Sequence, residues 1–413
     1  MISNPDTSYE WRAVLLLALG FGLVGLDRWI IAPLFPAMMR DLGLSYADLG
    51  NAIGTLGFAW GIFSILLGNV ADRFGRRIVL LPALIVFSLM SGLSGAVTGI
   101  AALIMIRAVM GATEGAYLAS SVAAVADASL PARRGRNQGM MLSAFPLFGM
   151  ALAPIVATQL LAVVPSWRWV FVLVALPGLA LAAIMWRVIR EPGQLGRRTT
   201  QERVRWADVL RSRNVLLAML SLVCAMSCIF VLASMTPNYL QDYLRLSPQQ
   251  MGVILSGLGL GGFAGDWLVC AASDRFGRRK MAVISFIGSL VSVYLFQSTG
   301  ANPWLLFVGL FCASFFSFGI LGLMTGPMAT EAVTPGLIAS AVGIVSGAGE
   351  IVGGGLVPVI AGYVAQSEGI QNVFYVTYAG LAIGTIVSLF FVETAPRRRS
   401  VEAAQGSNRA SLS

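Results

Sequence analysis

Histidine is absent from this chain of 413 residues, and lysine occurs once, at Lys280. No imidazole is available as a general base or metal ligand, and no clustered cysteines replace it, so catalytic and metal-binding readings lose their usual residues. Lys280 follows Arg279, which leaves no glycine-lysine phosphate loop and disfavours a nucleotide-driven pump. Charged residues make up 11% of the chain, where a soluble domain carries about 25%. The four cysteines (Cys224, Cys228, Cys270 and Cys312) all lie within apolar stretches and read as small packing residues rather than a disulfide framework. An enzyme is therefore not expected, and neither is a cofactor or a metal.

Apolar residues take the place of all these: 57% of the chain is hydrophobic and the mean hydropathy is +0.80. Stretches of about 20 apolar residues, the length that crosses a bilayer as a helix, occur near 13–36, 49–70, 78–97, 100–126, 138–164, 168–188, 215–237, 251–272, 281–298, 303–330, 339–364 and 373–392. They are continuous rather than alternating, and in lipid every main-chain polar group must be paired within its own segment. The expected fold is an all-α membrane protein with twelve transmembrane helices. The first stretch begins near Arg12 without a basic leader, and is expected to stay as a span rather than be removed as a signal peptide.

The hexapeptide DRFGRR occurs twice, at Asp72 to Arg77 and at Asp274 to Arg279. The same shift carries Ser45 and Gly50 onto Ser247 and Gly252. A shift two residues longer carries Pro33 onto Pro237, Asp127 onto Glu331, Pro131 onto Pro335, Gly139 onto Gly343, Gly149 onto Gly353 and Pro154 onto Pro358. A colinear series of this kind marks an internal duplication. It predicts two pseudo-symmetric six-helix bundles at 1–190 and 215–394, joined by a cytoplasmic linker at 191–214 and followed by a disordered cytoplasmic tail at 395–413.

Arginine sets the expected orientation. With the N-terminus inside, the inner segments hold 23 of the 28 basic residues, the outer loops hold Arg40, Arg168 and Arg245, and the spans hold Arg28 and Arg107. The positive-inside rule then puts both termini in the cytoplasm of a multi-pass protein; the expected location is a bacterial inner (plasma) membrane. The same distribution accounts for the net charge of +9 without a nucleic-acid partner. Glycines recur at helix-packing spacing, at Gly50, Gly54, Gly57 and Gly61, at Gly257, Gly261 and Gly265, and from Gly347 to Gly355. They allow close helix approach, either as static packing or as a sliding contact between the halves.

Two six-helix halves, a long central loop, and the stretches GNVADRFGRR and CAASDRFGRRK together resemble the major facilitator superfamily, over nearly the whole chain from about Arg12 to Val392. The second copy departs from the motif at Cys270, where the family has glycine. The resemblance implies that the motif residues pack against a neighbouring helix end and gate the cytoplasmic side. Carried over, these are Asp72, Arg73 and Arg76, with Asp274, Arg275 and Arg278; the alternative is that they only anchor topology.

The stretch LDRWIIAPLFPAMMRDLGLSYADLG further resembles the anion:cation symporters, importers of acidic sugars and related organic anions. Their Asp-Arg pair in span 1 matches Asp27 and Arg28, and their Arg with a Glu seven residues later in span 4 matches Arg107 and Glu114. Trp60 matches an aromatic ligand-facing position, or else serves packing. Glu350 stands where the family usually has a small residue, and the loop after Pro335 lacks the usual arginine, which leaves the substrate open rather than the fold. The sphingolipid-transporter branch carries similar signatures in spans 1 and 4.

Asp, Glu or Arg in the middle of a span costs roughly 2.5–3.5 kcal/mol each, so four of them in one half demand a reason. Arg107 and Glu114 are seven apart and share one helix face. At about 1.5 Å of rise per residue, Asp27 reaches the depth of Arg107. An Asp27–Arg107 pair is therefore expected, leaving Arg28 and Glu114 to line the cavity. Without histidine, proton coupling falls to a carboxylate, with Glu114 first and Asp27 second. Glu350 faces either the cavity, as a further ion site, or the helix packing; Asp266 is open in the same way. The guanidinium fork of Arg28 matches a carboxylate ligand. Buried ion pairs that merely hold the first half together are the structural alternative.

The expected function is alternating-access, proton-coupled (or Na+-coupled) uptake of a small organic anion such as a sugar acid, by a monomer in the lipid bilayer. The alternative is export of drugs or lysolipid-like amphiphiles by proton antiport. Span 5 reads FPLFGMALAP and lacks the glycine-rich pattern typical of drug-proton antiporters, which favours import.

Overall fold

Every regular element among the described residues is a helix. The computed structural model describes residues 7–130, 133–190, 209–333 and 338–394; within them, the side chains at 7, 65, 67–74, 134–136 and 338–340 lie outside the description. The helices are α1 Thr7–Trp29, α2 Ile31–Leu42, α3 Tyr46–Phe74, α4 Arg76–Leu93, α5 Ile100–Ala128, α6 Arg134–Pro146, α7 Ala153–Val163 and α8 Trp167–Val188. After residue 209 come α9 Arg213–Asn238, α10 Pro248–Phe276, α11 Arg278–Ser298, α12 Pro303–Leu323, α13 Ile338–Ala348, α14 Val357–Glu368 and α15 Phe374–Ser388.

Eleven continuous helical runs are long and apolar enough to cross a membrane, counted among the described residues. The 29-residue α3 is a further long helix, of which some side chains lie outside the description. Large apolar side chains also face outwards, among them Met105, Trp267, Tyr294, Trp304 and Ile386. An apolar surface of that extent is the kind a bilayer covers. The protein is an all-α, multi-pass integral membrane protein.

Several expected spans are not regular helices. The first starts at Thr7 and continues past a break at Ile30 through α2, so it is longer than the apolar run alone suggests. Wide π-helical turns interrupt three others, at Leu147–Leu152, Met324–Met328 and Gly349–Leu356, and a fourth, Tyr239–Tyr243, ends the run begun at Arg213. Two of them lie just before Pro154 and Pro358, which the repeat pairs with each other. Proline has no N–H to give the preceding turn, and a widened turn is one way a helix absorbs that loss.

Other local devices also recur at repeat-matched positions. Gly75 and Gly277, the glycines of the two hexapeptides, have φ 104°, ψ 146° and φ 100°, ψ 146°. A side chain is strained there, so the glycine is what lets the chain turn directly from one helix into the next. Ser45 and Asp48 cap α3 reciprocally: the Ser45 N–H donates to the Asp48 carboxylate at 2.8 Å and the Asp48 N–H to Ser45 Oγ at 3.2 Å. Ser247 and Gln250 repeat this capping box at the start of α10.

Helices from before residue 190 pack on helices from after residue 209 along two seams. One runs between α3 and the turn Gly349–Leu356 with α14; the other runs between α10 and the turn Leu147–Leu152 with α7. Glycine makes both possible. A Cβ on Gly50 would stand 2.4 Å from the Pro358 carbonyl, one on Gly57 2.3 Å from that of Gly354, and one on Gly259 2.0 Å from the Ala151 nitrogen. Only backbones bare of side chains come this close.

Candidate functional site

The intramembrane charges of α1 and α5 gather where the first seam passes. Asp27, Arg28, Arg107 and Glu114 are all buried, with Arg107 and Glu114 fully inaccessible. Arg28 Nη2 lies 3.0 Å from Glu350 Oε2 in the wide turn Gly349–Leu356. This ion pair joins positions 322 residues apart, one from each side of the chain's midpoint. Four rings surround the guanidinium carbon of Arg28, with centroids at 5.0 Å for Phe230, 5.5 Å for Trp60, 5.8 Å for Trp29 and 6.0 Å for Phe145. Planar, delocalised charge suits such a box, because the cation gains from the ring faces what it loses in hydration.

Glycine again sets the geometry. Gly111 and Gly115 of α5 press against the main chain of Leu56 and Trp60, where a Cβ would stand 2.3 and 2.5 Å from the carbonyl oxygens. Residue 114 is thereby brought alongside α3 at the level of Trp60. Among the described residues, neither carboxylate oxygen of Glu114 has a hydrogen-bond partner, and neither do Nε and Nη2 of Arg107 or Nε of Arg28. Orphaned buried charge is expensive and is kept where a ligand or a proton completes it.

The expected Asp27–Arg107 pair forms differently. Arg107 Nη1 lies 3.4 Å from the main-chain carbonyl of Asp27, while the Asp27 carboxylate accepts from Ser91 Oγ of α4 at 2.9 Å. Asp27 and Arg107 lie at one depth, as the rise per residue predicts, but the side chain of Asp27 turns towards α4. Arg28 likewise does not line a cavity as a free cation; Glu350 holds it. Glu350 therefore faces the charged cluster and not mere helix packing. Asp266 faces α12, where its carboxylate lies 2.1 Å from the position of a Cβ on Gly322.

At the hexapeptides, Arg76 Nη1 pairs with Asp127 at the end of α5 at 2.9 Å, and Arg278 pairs with Asp274 at 2.6 Å and with Glu331 at 2.9 Å. Asp127 and Glu331 are repeat partners, so one bond has been duplicated with the sequence. Arg275 is exposed. The side chains of Asp72 and Arg73 lie outside the described residues.

Several site neighbours carried no signal in the sequence. Phe145, Phe230 and Trp29 are ordinary apolar positions by pattern. Ser91 is one serine among many. Tyr46, Asp242 and Gln366, which bond across the far end of the seams, and Asn238, which supports Asp242 from its own span, sit at helix ends where polar residues are unremarked.

A helical membrane protein whose two sequence-related parts meet over a buried cluster of opposite charges has the design of a carrier. The chain matches the Major Facilitator Superfamily over residues 17–269 and 218–413, and belongs to it. It is similar to the hexuronate transporter of Bacillus subtilis, 27% identical over 68% of this chain and 71% of that protein. It is similar as well to the sialic acid transporter of Escherichia coli K12, 27% identical over 92% of this chain and 93% of that one. In fold, it resembles a bacterial homolog of the human lysosomal transporter Spinster, solved in an inward-facing and occupied conformation. The TM-score is 0.79 at 18% identity, covering 94% of this chain and 97% of that one. The expected superfamily is borne out, and the protein is a transmembrane transporter.

Proposed function

We propose that this transporter takes up a small organic acid together with protons, by alternating access between two six-helix bundles of twelve spans. The observation that carries the reading is Glu114, fully buried beside Arg28, Arg107 and Glu350 with both carboxylate oxygens unpartnered. The cluster holds three carboxylates (Asp27, Glu114, Glu350) against two guanidiniums. Adding an anion to it without adding protons would bury further uncompensated negative charge, at a cost of several kcal/mol. A proton on Glu114, with Asp27 as second site, removes that cost, and Arg28 and Arg107 then receive the anion. Trp60 supplies an apolar wall against the bound solute. The relatives' substrates, hexuronate and sialic acid, are acids of this kind.

In this reading, Asp72, Arg73 and Arg76, with Asp274, Arg275 and Arg278, gate the cytoplasmic ends of the bundles. Both termini lie in the cytoplasm, the membrane is the bacterial inner membrane, and the working unit is a monomer. Proton-driven uptake of labelled acids into proteoliposomes tests the whole. Glu114→Gln is expected to abolish uptake driven by a pH gradient while sparing exchange of acid for acid. Undiminished driven uptake by that variant would remove Glu114 from the coupling.

A further inference from the structure

Glu350 is an acidic residue in an apolar span, buried, and held against the residue best suited to receive a carboxylate. The contact is specific. Its Oε2 takes Nη2 of Arg28 at 3.0 Å, and both side chains are nearly inaccessible, at 8% and 2%. Its Cβ lies 3.5 Å from the position of a Cβ on Gly61 of α3, and Oε2 lies 2.8 Å from one on Gly354, which the Phe230 ring of α9 also faces. Glu114, of like sign, also acts on this position.

We infer that Glu350 is a tethered stand-in for the transported carboxylate: it fills the receptor face of Arg28 in the unloaded protein, and an incoming acid binds by displacing it. The inference rests on the organic-acid reading above. Two consequences follow from the geometry. Because Arg28 belongs to α1 and Glu350 to the turn before α14, the pair clasps the two parts of the chain together, and displacement opens the clasp as the substrate arrives. Because the incoming anion enters beside Glu114 while Glu350 gives up its cation, displacement is easiest when one of the two carries a proton, which ties binding to protonation without a further group. A guanidinium presents a fork that accepts any carboxylate of suitable size. What distinguishes the two ligands is the tether, which keeps Glu350 at a high effective concentration.

Glu350→Ala in the purified full-length protein tests this with acetate as the probe. Truncation leaves Arg28 unpaired and buried, so the thermal unfolding midpoint is expected to fall by several degrees. Acetate, but not chloride at equal ionic strength, is expected to restore it in a concentration-dependent way at pH 8. The wild type should show no such gain at that pH, and neither should the double variant with Arg28→Gln. Hydrogen–deuterium exchange over Gly349–Leu356 should rise in Glu350→Ala and fall again with acetate. If acetate acts equally on all three proteins, or on none, the tethered-ligand role is wrong. Acetate is not the proposed substrate, so a positive rescue alongside failed uptake of every acid tried would retire the organic-acid reading and leave the carboxylate receptor standing.

Discussion

The Tyr46 hydroxyl donates to the Asp242 carboxylate at 2.9 Å, linking the first turn of α3 to the end of the span begun by α9, 196 residues away. Asn238 Nδ2 donates to the same oxygen at 3.0 Å, and the Tyr46 N–H donates to Gln366 Oε1 at 3.2 Å. At the hexapeptide end, the pairs Arg76–Asp127, Arg278–Asp274 and Arg278–Glu331 each stay within one part of the chain. Polar closure between the two parts, among the described residues, is thus concentrated at the Tyr46 end and at the Arg28–Glu350 clasp.

Tyr46→Phe should loosen that end. A hydrogen bond to a carboxylate contributes about 1.5–3 kcal/mol when well buried, and less here because both partners are half exposed. Exchange of the Tyr46 to Gly54 amides is expected to quicken several-fold, with Asp242→Asn producing at least as large an effect. Unaltered exchange in both variants would show that the contact takes no part in the seal.

The glycine seam yields a sharper contrast. Gly57→Ala forces a methyl group to within 2.3 Å of the Gly354 carbonyl, main chain against main chain, where neither side can swing away. Overpacking of this type costs about 1–3 kcal/mol. Gly139→Ala, also helical, meets nothing within 4 Å and should be neutral or slightly stabilising through helix propensity. Thermal unfolding in one detergent compares them directly, and driven uptake should drop only for Gly57→Ala.

The two hexapeptides are equal in sequence but not in burial. The side chain of Arg278 is 6% exposed and bridges Asp274 and Glu331, while Thr394 Oγ1 donates to Glu331 at 2.5 Å. The Arg76–Asp127 pair is 21% and 39% exposed. Arg278→Ala strands the 24% exposed Glu331, while water takes over the 62% exposed Asp274, and should cost about 2 kcal/mol. Arg76→Ala should cost about 1 kcal/mol or less, since water replaces most of an exposed pair. Equal losses in unfolding midpoint would contradict this ranking.

Residence in the membrane, the duplication and the residues of the charged cluster were all legible in the sequence, because each depends on composition, spacing or repetition along one chain. Asp27, Arg28, Arg107 and Glu114 stood out because charge in an apolar run is costly wherever the run ends up. The duplicated turn at Gly75 and Gly277, and the duplicated pairing of Asp127 and Glu331 with an arginine, follow the same logic: equal local sequence builds equal local structure.

Which partner each charge takes was decided only by the tertiary structure. Arg28 meets Glu350 rather than a neighbour in its own half, and the Asp27 carboxylate turns to Ser91 although its depth matches Arg107. Rise per residue gives height along a helix. The rotation of one helix against another depends on glycine contacts between main chains hundreds of residues apart, and no periodicity in a single span records them.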